Sequence, residues 1–176
     1  TAKELFVTGN AGIGKSHLLA AECQSLMNNQ QFAVLLLAGN CYSDLPILDQ
    51  LSQDCELKYS FDEFISILEM IGVEHHTCVL LCIDALNETA NYRLWKTGLI
   101  SLSQKIKKCT HVKLAVTYRM EYEKSVVQDA LLSEDEDVYR IVHTGFASNG
   151  LKASKQFFDY YRIPFTLYEY FESEME

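Results

Sequence analysis

At 176 residues, 48% of them apolar, with two prolines and eight glycines, the chain makes one domain, or one domain with a fragment of another, and is neither disordered nor fibrous. Its 15 basic and 24 acidic residues leave a net charge of −9. An acidic surface repels nucleic-acid phosphate, which makes this domain alone a poor candidate for gripping DNA or RNA.

The first element is a short β-prone run, Glu4 to Thr8. It leads into Gly9-Asn10-Ala11-Gly12-Ile13-Gly14-Lys15-Ser16, a complete G-x-x-x-x-G-K-[ST] phosphate loop. His17 and the residues after it continue a helix predicted over Lys15 to Asn28. Strand, glycine loop, helix is the context in which this pattern binds a nucleotide. The glycines let the backbone curl around phosphates, and the helix start adds a positive dipole end. Lys15 is expected at the β- and γ-phosphates and the Ser16 hydroxyl on Mg²⁺.

Phe32 to Ala38 is the second strand, followed by a loop over Gly39 to Leu45 and a short helix over Pro46 to Asp54. Ser60-Phe61-Asp62-Glu63 is a capping box, with Ser60 at the N-cap and Glu63 at N3. The helix it opens carries Phe61, Phe64, Ile65, Leu68 and Ile71 at helical spacing. Cys78 to Ile83 is an unbroken apolar run, the pattern of a fully buried strand. Asp84 ends it, at the sheet edge where open α/β sheets bind ligands, and is the second expected Mg²⁺ residue. Glu88, four residues on, is the candidate general base for a water.

A helix is predicted over Tyr92 to Lys107, with a basic end at Lys105, Lys107 and Lys108 that suits the dipole. A fourth strand spans Val112 to Thr117, and a helix runs from about Glu121 to Leu131. An acidic loop at 133–137, a fifth strand over Val138 to His143 and a last helix over about Gly150 to Tyr161 complete the series. The alternation gives an α/β three-layer sandwich around a five-stranded parallel sheet. One complete strand separates the phosphate-loop strand from the Asp84 strand. The sheet is therefore of the P-loop NTPase kind with an extra central strand, order 5-1-4-3-2. Residues 1–147 form this core, and 148–176 hold the last helix and the start of a linker.

Six cysteines with no C-x-x-C pair give neither a disulfide framework nor a zinc signature. Cys78 and Cys82 read as small core residues on or beside a strand. Free thiols suit a reducing cytoplasm. No signal-peptide pattern is read, and no apolar run reaches the roughly 18 residues of a membrane span.

Residues 9–20, Ile83-Asp84-Ala85-Leu86-Asn87-Glu88, Val116-Thr117-Tyr118-Arg119 and His143-Thr144-Gly145-Phe146-Ala147 together resemble the STAND class of P-loop ATPases, and within it the prokaryotic antiviral AVAST (Avs) branch. The resemblance covers residue 4 to about 165. It implies an ATP-binding and slowly ATP-hydrolysing switch, with ATP or ADP and Mg²⁺ as cofactors and oligomerisation of its own protomers on activation. It also implies effector and sensor domains outside this chain, and neither nucleic acid nor membrane as direct partners. Arg119 takes the role of the sensor arginine that contacts the γ-phosphate. The expected continuation into helical and winged-helix domains is not in the sequence, so an excised core or a short relative is expected. Phe165, Tyr168, Tyr170 and Phe171 are expected to be apolar surface meant for those domains. The alternative is an AAA-type motor or clamp loader, with Arg93, Arg140 and Arg162 as arginine-finger candidates. A small-molecule P-loop kinase is disfavoured by the scarcity of arginines, four in all.

Overall fold

The computed structural model describes residues 2–132 and 137–145. The chain divides into two compact units, Thr1–His143 and Thr144–Glu176, and everything below concerns the first. The acidic loop at 133–136, the last helix, Arg162 and the four terminal aromatics lie outside the described residues.

Five parallel strands, β1 (Glu4–Gly9), β2 (Phe32–Leu37), β3 (Val79–Asp84), β4 (Val112–Arg119) and β5 (Val138–Val142), form one sheet in the order β2-β3-β4-β1-β5. This is the expected 5-1-4-3-2 order read from the other edge. The central three strands carry continuous apolar runs because both of their faces are covered.

Successive side chains on each strand point to opposite faces. Phe6, Leu36, Leu81, Ile83, Leu114, Val116 and Tyr118 pack with α2 (Ile47–Asp54), α3 (Phe61–Glu74) and α4 (Trp95–Ile106) into the larger core. The intervening residues, among them Leu5, Leu80, Cys82 and Ala115, meet Leu19 and Cys23 of α1 (Lys15–Asn28). Asp84 and Thr117 fall in the same alternation as Cys82 and Ala115, on the face that α1 covers.

The capping box at Ser60 forms as expected: Glu63 N–H donates to Ser60 Oγ at 3.3 Å and Ser60 N–H to Glu63 Oε2 at 2.8 Å. Several expectations shift. Pro46 is the N-cap of α2 and stands just outside it. The helix expected from Tyr92 opens with a 3-10 turn at Tyr92–Leu94. The helix expected over Glu121 to Leu131 breaks into a 3-10 turn, Met120–Tyr122, and two single turns, α5 (Glu123–Val126) and α6 (Asp129–Leu132). The break falls at Val127, whose backbone is extended (φ −114°, ψ 138°), and both Val126 and Val127 are buried. Cys78 is exposed and precedes β3, while Cys82 is buried within it. Among the described residues no helix is long and apolar enough to cross a membrane.

Candidate functional site

The loop from Gly9 to Gly14 connects β1 to α1 at the carboxyl edge of the sheet. Gly14 caps the helix in a left-handed conformation, φ 97°, which a side chain would resist. Gly9 is needed for a different reason: a Cβ there would meet His143 O at 2.4 Å and Ile13 Cδ1 at 2.5 Å. The first N–H groups of α1 therefore open towards a cleft of about 290 Å³. Residues 11–17 line one side of it, and Ala85, Asn87, Glu88, Thr117 and Arg119 line the other.

Lys15 is buried to 9% exposure, and its ammonium donates to Gly9 O at 3.0 Å and Asn10 O at 2.7 Å. Burial pulls its pKa below the ordinary lysine range, and the Arg119 guanidinium adds to that; Asp84, Glu121 and Glu88 act in the opposite direction. A desolvated cation held by two carbonyls is well prepared for an anion. Ser16 and His17 are exposed on the same wall.

Sheet register carries the other wall into place. Arg119 pairs with Gly9 across β4 and β1, because β4 runs two residues further than the sequence pattern indicated. The end of β3 brings Asp84 beside Thr117. The Thr117 hydroxyl donates to Asp84 Oδ1 and accepts the Ala85 N–H at 2.8 Å. Asp84 is thus buried against Thr117, which lines the cleft while Asp84 itself does not. Ala85 is left-handed, φ 57°, a conformation that costs an L-residue roughly 1–2 kcal/mol. The turn it starts, a 3-10 segment over Leu86–Glu88, delivers Asn87 and Glu88 to the cleft.

Asn87 Oδ1 accepts the Arg119 N–H at 2.9 Å and so ties this turn to the end of β4. Arg119 Nη2 lies 3.7 Å from Glu88 Oε1, with the side chains 38% and 54% exposed. A long, solvated ion pair contributes little, so both groups can turn to a ligand at small cost. Behind Glu88, Thr89 Oγ1 donates to Ala38 O at 3.0 Å, and the buried Trp95 Nε1 donates to Thr89 Oγ1 at 2.8 Å.

The oxygen donors of this site, Ser16 and Asp84, suit Mg²⁺, which takes one or two protein oxygens and completes its shell with phosphate and water. Glycines of positive φ, a buried lysine and a helix start suit the phosphates. A larger groove of about 410 Å³ lies among α2, α3 and α4. Of its charged groups, Lys105 and Asp62 pair at 2.6 Å and Asp49 is the third, and it shares no residue with the phosphate loop.

Two roles escaped the sequence. Thr117 and Asn87 were legible as members of the motifs that carry the resemblance, but not as the clamp on Asp84 and the tie to Arg119. Replacing Thr117 by Val keeps the shape and removes the hydroxyl, leaving Ala85 N–H without its acceptor and Asp84 without its donor. The expected loss is about 1–3 kcal/mol of stability. The loss is read from urea unfolding, with Thr117→Ser restoring most of it. An unchanged midpoint in Thr117→Val would show that water replaces the clamp.

No protein-family profile matches the chain, and no curated protein matches its sequence. Solved structures match its fold. A DNA replication initiation factor superposes with a TM-score of 0.61 at 15% identity, over 93% of this chain and 46% of that one. DnaA from Aquifex aeolicus bound to AMPPCP gives 0.59 at 16% identity, over 91% and 46%. The replication initiator DnaA bound to AMPPCP and single-stranded DNA gives 0.61 at 16% identity, over 96% and 49%. The chain spans about half the length of each of these structures. At such identities the likeness is one of architecture: the domain has the α/β fold of the P-loop NTPases, with the phosphate loop, Asp84 and Arg119 at its carboxyl edge.

Proposed function

We propose that this domain is an ATP-binding switch with slow, Mg²⁺-dependent hydrolysis, serving a signalling or antiviral protein of the STAND class. The observation that carries the reading is the meeting of Arg119 and Glu88 across the cleft from Lys15. ADP can be held by the loop, Lys15 and Ser16. Arg119, Glu88 and, through Mg²⁺, Asp84 gain a full set of contacts only with a γ-phosphate. Differential binding of this kind lets a nucleotide bias a protein between two states. In this reading ATP favours assembly of protomers and activation of an effector attached outside this chain. Six free thiols support a reducing compartment such as the cytoplasm.

A second reading, an AAA-type ATPase, is favoured by the fold shared with DnaA. It requires an arginine offered to a neighbour's site. Arg140 is engaged within its own chain, 2.6 Å from Glu123, which leaves the exposed Arg93 as the described candidate. One of the similar structures is bound to single-stranded DNA. The net charge of −9 here argues against that partner for this domain.

The test is Arg119→Ala. Hydrogen bonds to a charged group contribute about 1.5–3 kcal/mol, so affinity for a non-hydrolysable ATP analogue is expected to fall roughly 10- to 100-fold while ADP affinity barely changes. Matched titrations at one ionic strength read this. Equal losses for the two nucleotides would assign Arg119 to the fold or to the β-phosphate and remove the sensor from the switch.

A further inference from the structure

The crest of the phosphate loop is held from outside by a residue that the phosphate-loop motif does not mark. His143 follows β5, and its N–H donates to Thr8 O at 2.7 Å, continuing the β1–β5 ladder. Its ring Nε2 lies 3.2 Å from Ile13 O. Ile13 sits between Gly12 and Gly14, whose φ values of 74° and 97° make this the most freely hinged part of the loop. A carbonyl only accepts, so the ring nitrogen facing it carries a hydrogen. Gly9 closes the same junction, with room for no Cβ between His143 O and Ile13 Cδ1.

We propose that His143 is a positioning residue for phosphate binding: its Nε2–H holds Ile13 O outward and keeps the crest in the open shape that its N–H groups need. The inference rests on reading the cleft as a nucleotide site. A glycine-rich loop loses much backbone freedom when it closes on a ligand. Ordering the crest beforehand removes part of that loss from binding. The crest cradles the α- and β-phosphates, which ATP and ADP share. The signature of His143 is therefore equal for both nucleotides, unlike that of Arg119.

The experiment compares wild type, His143→Leu, His143→Gln and Lys15→Ala in calorimetric titrations with ADP and a non-hydrolysable ATP analogue. One net hydrogen bond corresponds to about a 3- to 10-fold loss, expected for both nucleotides in His143→Leu. His143→Gln places an amide N–H near the position of Nε2 and is expected to recover most of that loss. Should the leucine variant not fold, His143→Asn, whose donor stops one bond short, is expected to show the same loss. Unchanged affinities in a folded His143→Leu, with Lys15→Ala still inactive, overturn this inference alone. So does a folded His143→Gln as weak as His143→Leu, because a donor then is not what matters. A wild-type chain that binds neither nucleotide overturns the underlying reading, and this inference with it.

Discussion

Lys15→Ala is expected to remove nucleotide binding from a domain that remains folded. The ammonium is buried and donates to Gly9 O and Asn10 O, so it sits at the centre of the loop that would receive the phosphates. Holding a cation there is unfavourable in itself: burial and the Arg119 guanidinium both favour its neutral form. Truncation removes that cost together with two hydrogen bonds, one to the buried Gly9 O and one to the exposed Asn10, so the two changes oppose each other and the domain is expected to stay folded. For binding there is no such compensation. Truncating one partner of a buried charged contact costs about 2–5 kcal/mol, so affinity for ATP and ADP is expected to fall roughly 30-fold or further. Calorimetry with Mg²⁺ present reads the binding, and circular dichroism with thermal unfolding reads the fold. A folded variant that binds as tightly as wild type would show that residues 9–16 are a glycine turn and not a phosphate cradle.

The next largest effect is expected on turnover. Glu88 stands on a 3-10 turn fixed at one end by the Thr117–Ala85 hydrogen bond and at the other by Thr89 on Ala38. Its backbone is therefore firmly placed while its carboxylate remains half exposed at the cleft. That combination suits a general base, which needs a fixed position and access to water. Glu88→Gln keeps the shape and the reach towards Arg119 but cannot accept a proton. Binding of ATP is expected to persist and phosphate release to slow by about 10²- to 10⁴-fold. Hydrolysis at the wild-type rate would assign the water to another group.

The fold was largely legible because its signals are local. A parallel sheet covered on both faces writes apolar runs such as Val79 to Ile83, and the phosphate loop fixes where β1 ends and α1 begins. The strand order followed from one extra strand between Gly9 and Asp84. Of the candidate residues, 11–17, Glu88 and Arg119 line one cleft, whereas Gly9, Asn10 and Asp84 do not line it. The internal wiring of the site was not legible. Thr117 on Asp84, Asn87 on Arg119 and His143 on Ile13 join positions 33, 32 and 130 residues apart, and no periodicity encodes such pairs. The broken helix after Tyr118 was missed as well: Val127 turns extended within a stretch whose pattern reads as one helix.

The indole that anchors the turn behind Glu88 has a practical consequence. Trp95 is the one tryptophan of the chain, wholly buried and hydrogen-bonded to Thr89, the residue next to Glu88. Its emission is shielded from aqueous quenchers and has a single origin. Any movement of the Glu88 turn must lengthen or reorient the bond to Thr89 and so alter the polarity that the excited ring feels. The domain thus carries its own optical gauge of the Glu88 turn, usable in stopped flow without a dye, a tag or a second substitution.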